Sequence, residues 1–329
     1  MTHKILRWGI LSTANIAREW IIPALQKSPY AQLAGVASRD LSRAESFAKE
    51  HGFEKTFGSY DALLADPSID VIYNPLPNNL HVPYSMQALE SGKHVLCEKP
   101  LGMSADDIRP LVELAHTRKD QYLLEAFMYR FHPQWACLAD LIESGEIGEL
   151  QAVEASFSYF NRDANNIRHK PGVGGGGLLD VGAYCISAAR QVFKREPVRV
   201  LAAMDLDPDF KVDRHVSGIL DFGPQCARFF VSTQAASSQA FVVYGSKARI
   251  VLDSPFYGVS RDCKITISGE NGERSIFLPD CNHYERQIEH FSRAVLHGER
   301  RVDINDALHN MKTLDALLGS AQSDKWQRL

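Results

Sequence analysis

The chain has 329 residues, 45% of them apolar and 23% charged, a balance that excludes a disordered or fibrous protein and gives room for two domains. Its 36 Lys and Arg against 40 Asp and Glu leave a net charge of −4, so no broad phosphate-tracking surface is expected and nucleic acid is not a predicted partner. No run approaches the roughly 20 apolar residues that span a bilayer, and the charged start Met1-Thr2-His3-Lys4 lacks an export signal, so a cytoplasmic protein with no membrane partner is expected.

In chain order, Ile5–Leu11 reads as a short buried strand and Ile16–Lys27 as the helix after it. Gln32–Ala37 is a second strand, followed by a helix over Ser42–His51. Val71–Asn74 is a third, followed by a helix from Val82 to Ser91 that closes at Gly92. His94–Cys97 and Tyr122–Ala126 complete the series. Strands alternating with helices of this length predict βαβ units in a parallel, doubly wound sheet.

After a helix near Pro133–Ser144 the pattern changes. Val153–Phe160 alternates in polarity as a half-exposed strand does. A helix at Leu179–Val192 precedes strands at Arg199–Leu206, Val216–Phe222, Ala227–Thr233, Ala240–Tyr244 and Ile250–Leu252. Cys263–Ser268 and Arg274–Leu278 read as a hairpin turning at Asn271-Gly272. Helices near Tyr284–Leu296 and Asn305–Ser320 end the chain. The second half is thus a mixed, largely antiparallel sheet with helices on one face. The six cysteines are scattered, with no C-x-x-C pair and no histidine at ligand spacing, so reduced thiols are expected rather than disulfides, and no metal site.

The first strand runs into Gly9-Ile10-Leu11-Ser12-Thr13-Ala14-Asn15-Ile16-Ala17. Small residues between a strand and a helix let backbone N–H groups approach a pyrophosphate, and such residues also occur for packing alone. Ser12 and Ala14 stand where a dinucleotide turn more usually has glycine. At the end of the second strand an NAD site wants an acidic residue for the ribose 2′-hydroxyl, whereas this chain has Ser38-Arg39-Asp40. A hydroxyl and a guanidinium suit a 2′-phosphate, so NADP is favoured, with NAD as the weaker alternative. The other reading of Arg39 is an exposed residue beside a helix capped by Asp40.

Two loops follow adjacent strands at the edge where doubly wound sheets place ligands: Pro75-Leu76-Pro77-Asn78-Asn79-Leu80-His81 and Glu98-Lys99-Pro100. Pro100 biases Lys99 away from helical geometry. The run Gly174-Gly175-Gly176-Gly177 leads to Asp180 and Tyr184, but no Lys-Ser or Lys-Thr follows it, which excludes a Walker-type phosphate loop. Four residues apart on a helix, Asp180 and Tyr184 share a face. Their simpler reading is a first-turn acid and a packing aromatic.

These segments occur together and in order, along with Glu125-Ala126-Phe127-Met128-Tyr129-Arg130. As an ordered set they resemble the Gfo/Idh/MocA family of NAD(P)-dependent oxidoreductases, from Arg7 to about Leu318. The resemblance is nearest to the branch with NADP-dependent D-xylose dehydrogenases, dimeric dihydrodiol dehydrogenases and glucose–fructose oxidoreductases. It implies a Rossmann domain over residues 1–126. Residues 127–329 would form an α+β domain with a large, open-faced sheet for substrate binding and oligomerisation.

The resemblance implies that Lys99 is the essential lysine and Tyr184 the acid/base, with Asp180 orienting sugar hydroxyls or Lys99. Free tyrosine ionises near pH ~10, and a nearby ammonium lowers that value, which suits removal of a hydroxyl proton. Arg168 matches a substrate-loop position. The cofactor would be held by Gly9, Ser12, Thr13, Ala14, Asn15, Ile16, Ser38, Arg39, Pro77, Asn79, His81, Glu98 and Lys99. His81 also fits a helix cap, and Arg130 and His132 are either site-lining or structural. The implied activity is oxidation of an aldose such as D-xylose or D-glucose at C1 to a lactone. Reduction of an anhydro-sugar or oxidation of a trans-dihydrodiol is the alternative. The family also includes a fungal galactose-regulon corepressor that has lost catalysis, but retention of Lys99 and Tyr184 argues for an enzyme. A homodimer or higher homo-oligomer through the second sheet is implied.

Overall fold

The computed structural model describes residues 4–257, 263–270, 272–299 and 301–329. The chain forms two compact units: Met1–Phe131 with His283–Leu308, and His132–Asn282 with His309–Leu329. The sequence reading cuts the chain once, near Phe127. In the structure the chain crosses into the second unit and later returns to the first.

In the first unit, β1 (Leu6–Leu11) leads through a π-helical turn, Ala17–Ile21, into α1 (Ile22–Lys27). β2 (Ala31–Ala37), α2 (Leu41–His51), β3 (Lys55–Phe57) and α3 (Tyr60–Ala65) follow. Then come β4 (Val71–Asn74), α4 (His81–Glu90), β5 (His94–Cys97), α5 (Ala105–Thr117) and β6 (Leu123–Glu125). The strands pair in parallel in the order β3-β2-β1-β4-β5-β6, which is the dinucleotide-binding order with its topological switch between β1 and β4. Leu6, Trp8, Ile10 and Leu11 are buried on both strand faces, which is why β1 reads as a continuous apolar run rather than an alternating one.

The sequence reading passes over β3, α3 and α5. The first two are only three and six residues long, too short to establish a period. α5 carries Pro110 in its interior, a residue that normally argues against a helix. Its start is fixed instead by the Ser104 hydroxyl, which accepts from the Asp107 N–H at 3.1 Å.

The second unit begins with α6 (Pro133–Glu143) and β7 (Leu150–Phe160). A π-helical turn, Leu178–Gly182, enters α7 (Ala183–Phe193). The strands β8 (Arg199–Leu206), β9 (Asp213–Asp221), β10 (Cys226–Ser232) and β11 (Gln234–Gly245) follow. β12 (Ala248–Leu252), β13 (Cys263–Gly269) and β14 (Gly272–Leu278) complete the consecutive series. The sheet order is β14-β13-β12-β11-β7-β10-β9-β8-β15, the last being Gln327–Arg328 at the edge. All pairings are antiparallel except β7 with β10. β13 and β14 form the expected hairpin, with Gly269 opposite Gly272. Its turn residue Asn271 lies outside the described residues, as do Met1, Thr2 and His3. Val153, Ala155, Phe229 and Val231 point inward and are buried, and α7 packs against β7 and β10.

Helix α8 (His283–His297) returns to the first unit. Its Phe291 ring lies 5.2 Å from Trp8 and 5.1 Å from Tyr122, and Tyr284 stacks on Trp20 at 5.4 Å. Helix α9 (Asn305–Ser323) ends the helical series. Among the described residues no helix is long and apolar enough to cross a membrane. None of the six cysteines is in a disulfide.

Candidate active site

The first unit holds a cleft where β1 and β2 end. Ser12 takes a left-handed backbone, φ 76°, and its N–H donates to the Ala37 carbonyl at 2.9 Å. The residue that replaces a usual glycine thus still adopts the turn that glycine makes easy, at a cost of about 1 kcal/mol. Its hydroxyl is buried without a protein partner. The helix starts at Asn15, with the Arg18 N–H donating to the Ala14 carbonyl at 3.2 Å, and Ala14 has no side-chain acceptor to cap it, so its first N–H groups are donors for an anion.

Ser12, Thr13, Ala14, Ser38, Arg39, Arg43 and Tyr60 line one cavity of about 160 Å³. The cavity therefore joins an orphaned hydroxyl, a helix N-terminus and two guanidiniums, a donor set that fits the phosphates of a dinucleotide. Arg43 and Tyr60 are additions that the sequence reading misses. Arg43 lies in the first turn of α2, four residues after Arg39, a spacing that offered a signal; Tyr60 comes from α3, which had none. At Ser38-Arg39-Asp40 the helix cap is present and Arg39 is exposed. Asp40 caps α2 by accepting from Ser42 and Arg43 N–H groups at 3.0 and 3.3 Å, while Arg39 faces the cavity. Burial pushes the Tyr60 phenol pKa up, and the Arg39 charge beside it pulls the other way.

Gly9 has a different task. A Cβ there would stand 2.8 Å from Leu63 Cδ2 and 3.0 Å from Ile69 Cγ2, so this glycine admits the packing of α3 and its following loop onto β1.

The two loops after β4 and β5 are tied together. The His81 ring is 1% exposed, with Nε2 2.6 Å from the Leu76 carbonyl and Nδ1 2.7 Å from the Pro100 carbonyl. Burial pushes its pKa down to about 4, against the pull of the two carbonyls. Asn74, fully buried, donates to the His81 carbonyl and to the Ser85 hydroxyl, each at 3.1 Å. Pro77 and Asn79 sit on the loop this network anchors, with Asn79 exposed. Glu98 accepts from the Tyr73 hydroxyl at 2.6 Å and the Lys99 N–H at 3.3 Å, and its own N–H donates to the Asn74 carbonyl at 3.0 Å. Lys99 is thereby fixed at the C-terminal end of β5, followed by a cis bond to Pro100. Arg130 pairs with Asp306 at 2.5 Å, and His132 caps α6; both have structural roles.

The second unit supplies the other group. Asp180 Oδ2 accepts from the Tyr159 hydroxyl at 2.6 Å and from Arg168 Nε at 2.7 Å. Tyr159, absent from the sequence-derived set, is the half-buried partner of this carboxylate. Burial, then the Asp180 charge, pushes its pKa well above the usual tyrosine value. The carboxylate in turn holds the Arg168 guanidinium firmly charged. The Tyr184 ring lies 5.7 Å from both Phe157 and Phe256. Phe157 and Tyr159 are two apart on β7, so Asp180 and Tyr184 address the same face of that strand, as their spacing predicted.

The glycine run is a contact surface. A Cβ on Gly175 would stand 2.6 Å from the Arg168 carbonyl, which accepts from the Gly176 N–H at 2.9 Å. The run therefore seats the loop that carries Arg168.

Comparison with known proteins agrees with this geometry. Residues 6–126 match the family model for the oxidoreductase family with an NAD-binding Rossmann fold, and residues 135–251 match the GFO/IDH/MocA C-terminal domain. A D-xylose 1-dehydrogenase (NADP(+)) of Haloferax volcanii is 38% identical over 322 residues, covering 97% of this chain and 98% of the relative. The human trans-1,2-dihydrobenzene-1,2-diol dehydrogenase is 32% identical over 287 residues, 84% of this chain and 83% of that one. Among solved structures, a 3-ketoreductase from Actinomadura kijaniata in complex with NADP and TDP-benzene superposes with a TM-score of 0.91 at 30% identity, covering 96% of this chain and 98% of the other. Solved variants of that reductase replace one lysine by alanine or glutamate and one tyrosine by phenylalanine. With kinship along nearly its full length and a family match in each half, the chain belongs to the Gfo/Idh/MocA oxidoreductases.

Proposed function

We propose that the protein is an NADP-dependent sugar dehydrogenase that oxidises the C1 hydroxyl of an aldose such as D-xylose or D-glucose to the lactone. The observation that carries this reading is the Asp180–Arg168–Tyr159 group beside Tyr184. A carboxylate and a guanidinium locked to each other offer acceptors and forked donors at fixed positions, which is what recognition of several sugar hydroxyls requires. The 38% identical xylose dehydrogenase supports the substrate class.

When bound, the nicotinamide supplies the hydride acceptor. The chain's own residues do the rest. Ser38, Arg39, Arg43 and Tyr60 receive the 2′-phosphate, and the uncapped helix after Ser12 receives the pyrophosphate. Thr13, Ala14, Asn15 and Ile16 belong to the same turn, and Pro77, Asn79, His81 and Glu98 shape the loops on the nicotinamide side. Tyr184 takes the hydroxyl proton from the substrate oxygen. Lys99 favours its phenolate form by charge and donates to the same oxygen. Asp180 and Arg168 orient the remaining hydroxyls. The altered lysine and tyrosine of the solved ketoreductase variants are of the same two residue types. The protein works as a homodimer or larger assembly through the outward face of its second sheet, where Phe160, Phe230 and Phe277 are exposed.

The test is a purified-enzyme panel of aldoses, anhydrofructose and trans-dihydrodiols, read by NADPH absorbance in both directions. NADP⁺ reduction with D-xylose or D-glucose is expected. Strong turnover of a diol or anhydro-sugar with none of any aldose would reject the aldose assignment in favour of the diol dehydrogenase or reductase activity.

A further inference from the structure

Asp213 is 7% exposed at the start of β9, and the roles above make no use of it. Its Oδ2 accepts from the Leu178 N–H at 2.6 Å, across 35 residues of chain, and the Gly177 N–H bonds the same carboxylate. Gly177 itself offers no side-chain cap for the turn that begins at Leu178. Asp213 is therefore the cap, supplied from a strand. Gly176 has φ 114°, and a Cβ there would fall 1.9 Å from Asp213 Oδ1. Only a hydrogen fits between the carboxylate and this backbone.

From that point a ring of contacts runs to the substrate group. The Gly176 N–H donates to the Arg168 carbonyl at 2.9 Å, Arg168 Nε donates to Asp180 at 2.7 Å, and Asp180 lies in the turn that Asp213 caps. The ring closes through Asp213. The residue before Leu178 and the residue holding Arg168 are thus fixed by one buried carboxylate. A second tie runs through the turn between β8 and β9, where Phe210 stacks on His169 at 4.3 Å, next to Arg168.

We propose that Asp213 is a positioning residue for substrate recognition, setting the Arg168 loop and the Asp180 turn in register. This rests on the reading that Arg168 and Asp180 contact the substrate. Loss of the carboxylate releases both together, so its effect passes through them. Asp213→Asn keeps the size and one acceptor but removes the charge and turns an N–H₂ toward a backbone N–H. Asp213 is not among the residues that line the nucleotide cleft.

The test is a double-mutant cycle with Asp213→Asn, Arg168→Ala and the pair, measuring KM, kcat and NADPH Kd on whichever substrate the wild type turns over. Each single change is expected to raise substrate KM about tenfold, the factor that goes with one charge-assisted hydrogen bond. kcat and NADPH Kd should stay within about threefold, and the pair should be scarcely worse than either single variant. Gly176→Ala, which presses on the same carboxylate from outside, should give the same KM rise and the same lack of additivity with Arg168→Ala. A merely structural role would lower thermal stability equally in both backgrounds and leave the KM factors multiplying to about a hundredfold. That result, or a normal KM in both Asp213→Asn and Gly176→Ala while Arg168→Ala is impaired, would overturn the inference. A normal KM in Arg168→Ala itself would instead reject Arg168 as a substrate contact.

Discussion

Replacing Arg39 and Arg43 by alanine, singly and together, should convert an NADP-preferring protein into one that barely distinguishes the two cofactors. Both guanidiniums line the cavity at the end of β2, alongside the Ser38 hydroxyl. A charge-assisted hydrogen bond to a phosphate contributes about 1.5–3 kcal/mol, and both side chains reach solvent, which puts each near the lower end. About 1.5 kcal/mol corresponds to a tenfold loss in NADPH affinity for each single variant. The two share one small cavity, so the pair should lose somewhat less than a hundredfold. NADH lacks the 2′-phosphate, and its affinity should change less than about threefold. Arg39→Ala carries a further mark, because the Tyr60 phenol loses the charge that now opposes its upward shift. The assay is fluorescence titration with NADPH and NADH at low and high salt, with the discrimination shrinking as salt screens the exposed charges. Equal losses for both cofactors, or none for either, would refute a 2′-phosphate role for this cavity.

Lys99→Ala and Tyr184→Phe should each reduce turnover by at least about a hundredfold while leaving NADPH affinity within a few-fold, as steady-state kinetics and titration would measure; full activity in both would end the proposed proton chemistry. His94 predicts a pH effect: its Nδ1 accepts from the Tyr122 N–H at 3.0 Å, and burial pushes its pKa down to about 4. The unfolded chain binds this proton near pH ~6.5, so stability is full above that value and falls as pH drops toward about 4. One such group lowers stability by about 2 kcal/mol between pH 7 and pH 5. Urea unfolding of His94→Asn should show a shallower pH slope than the wild type, and an unchanged slope would refute the assignment. Gly9→Ala should destabilise by about 1–3 kcal/mol, because its Cβ meets Leu63 and Ile69 at 2.8 and 3.0 Å; if thermal unfolding is unchanged but NADPH binding weakens, Gly9 serves the cofactor rather than the packing.

What the sequence determined by itself was local in character. A buried run such as Leu6–Leu11, a cap such as Asp40 and the ordered motifs Glu98-Lys99-Pro100 and Asp180…Tyr184 depend on neighbours along the chain, and they were enough for both sheets and the family. Elements without a period of their own escaped: three-residue β3, six-residue α3, and α5 with its internal proline. The tertiary structure decided the partners. Arg43 and Tyr60 join Arg39 because α2 and α3 meet at one cavity, and Tyr159 reaches Asp180 because β7 passes beside the turn at Leu178. His81 turns out to bridge the carbonyls of Leu76 and Pro100 rather than cap a helix. The four glycines had the form of a phosphate loop, and only the approach of the Arg168 carbonyl and Asp213 explains why no side chain fits at Gly175 and Gly176. A motif fixes which chemical groups are present, whereas the hydrogen-bond partner of a buried carboxylate or imidazole is fixed by segments tens of residues away. No local pattern encodes that proximity, because it exists only once the sheet has paired and the helices have packed on it.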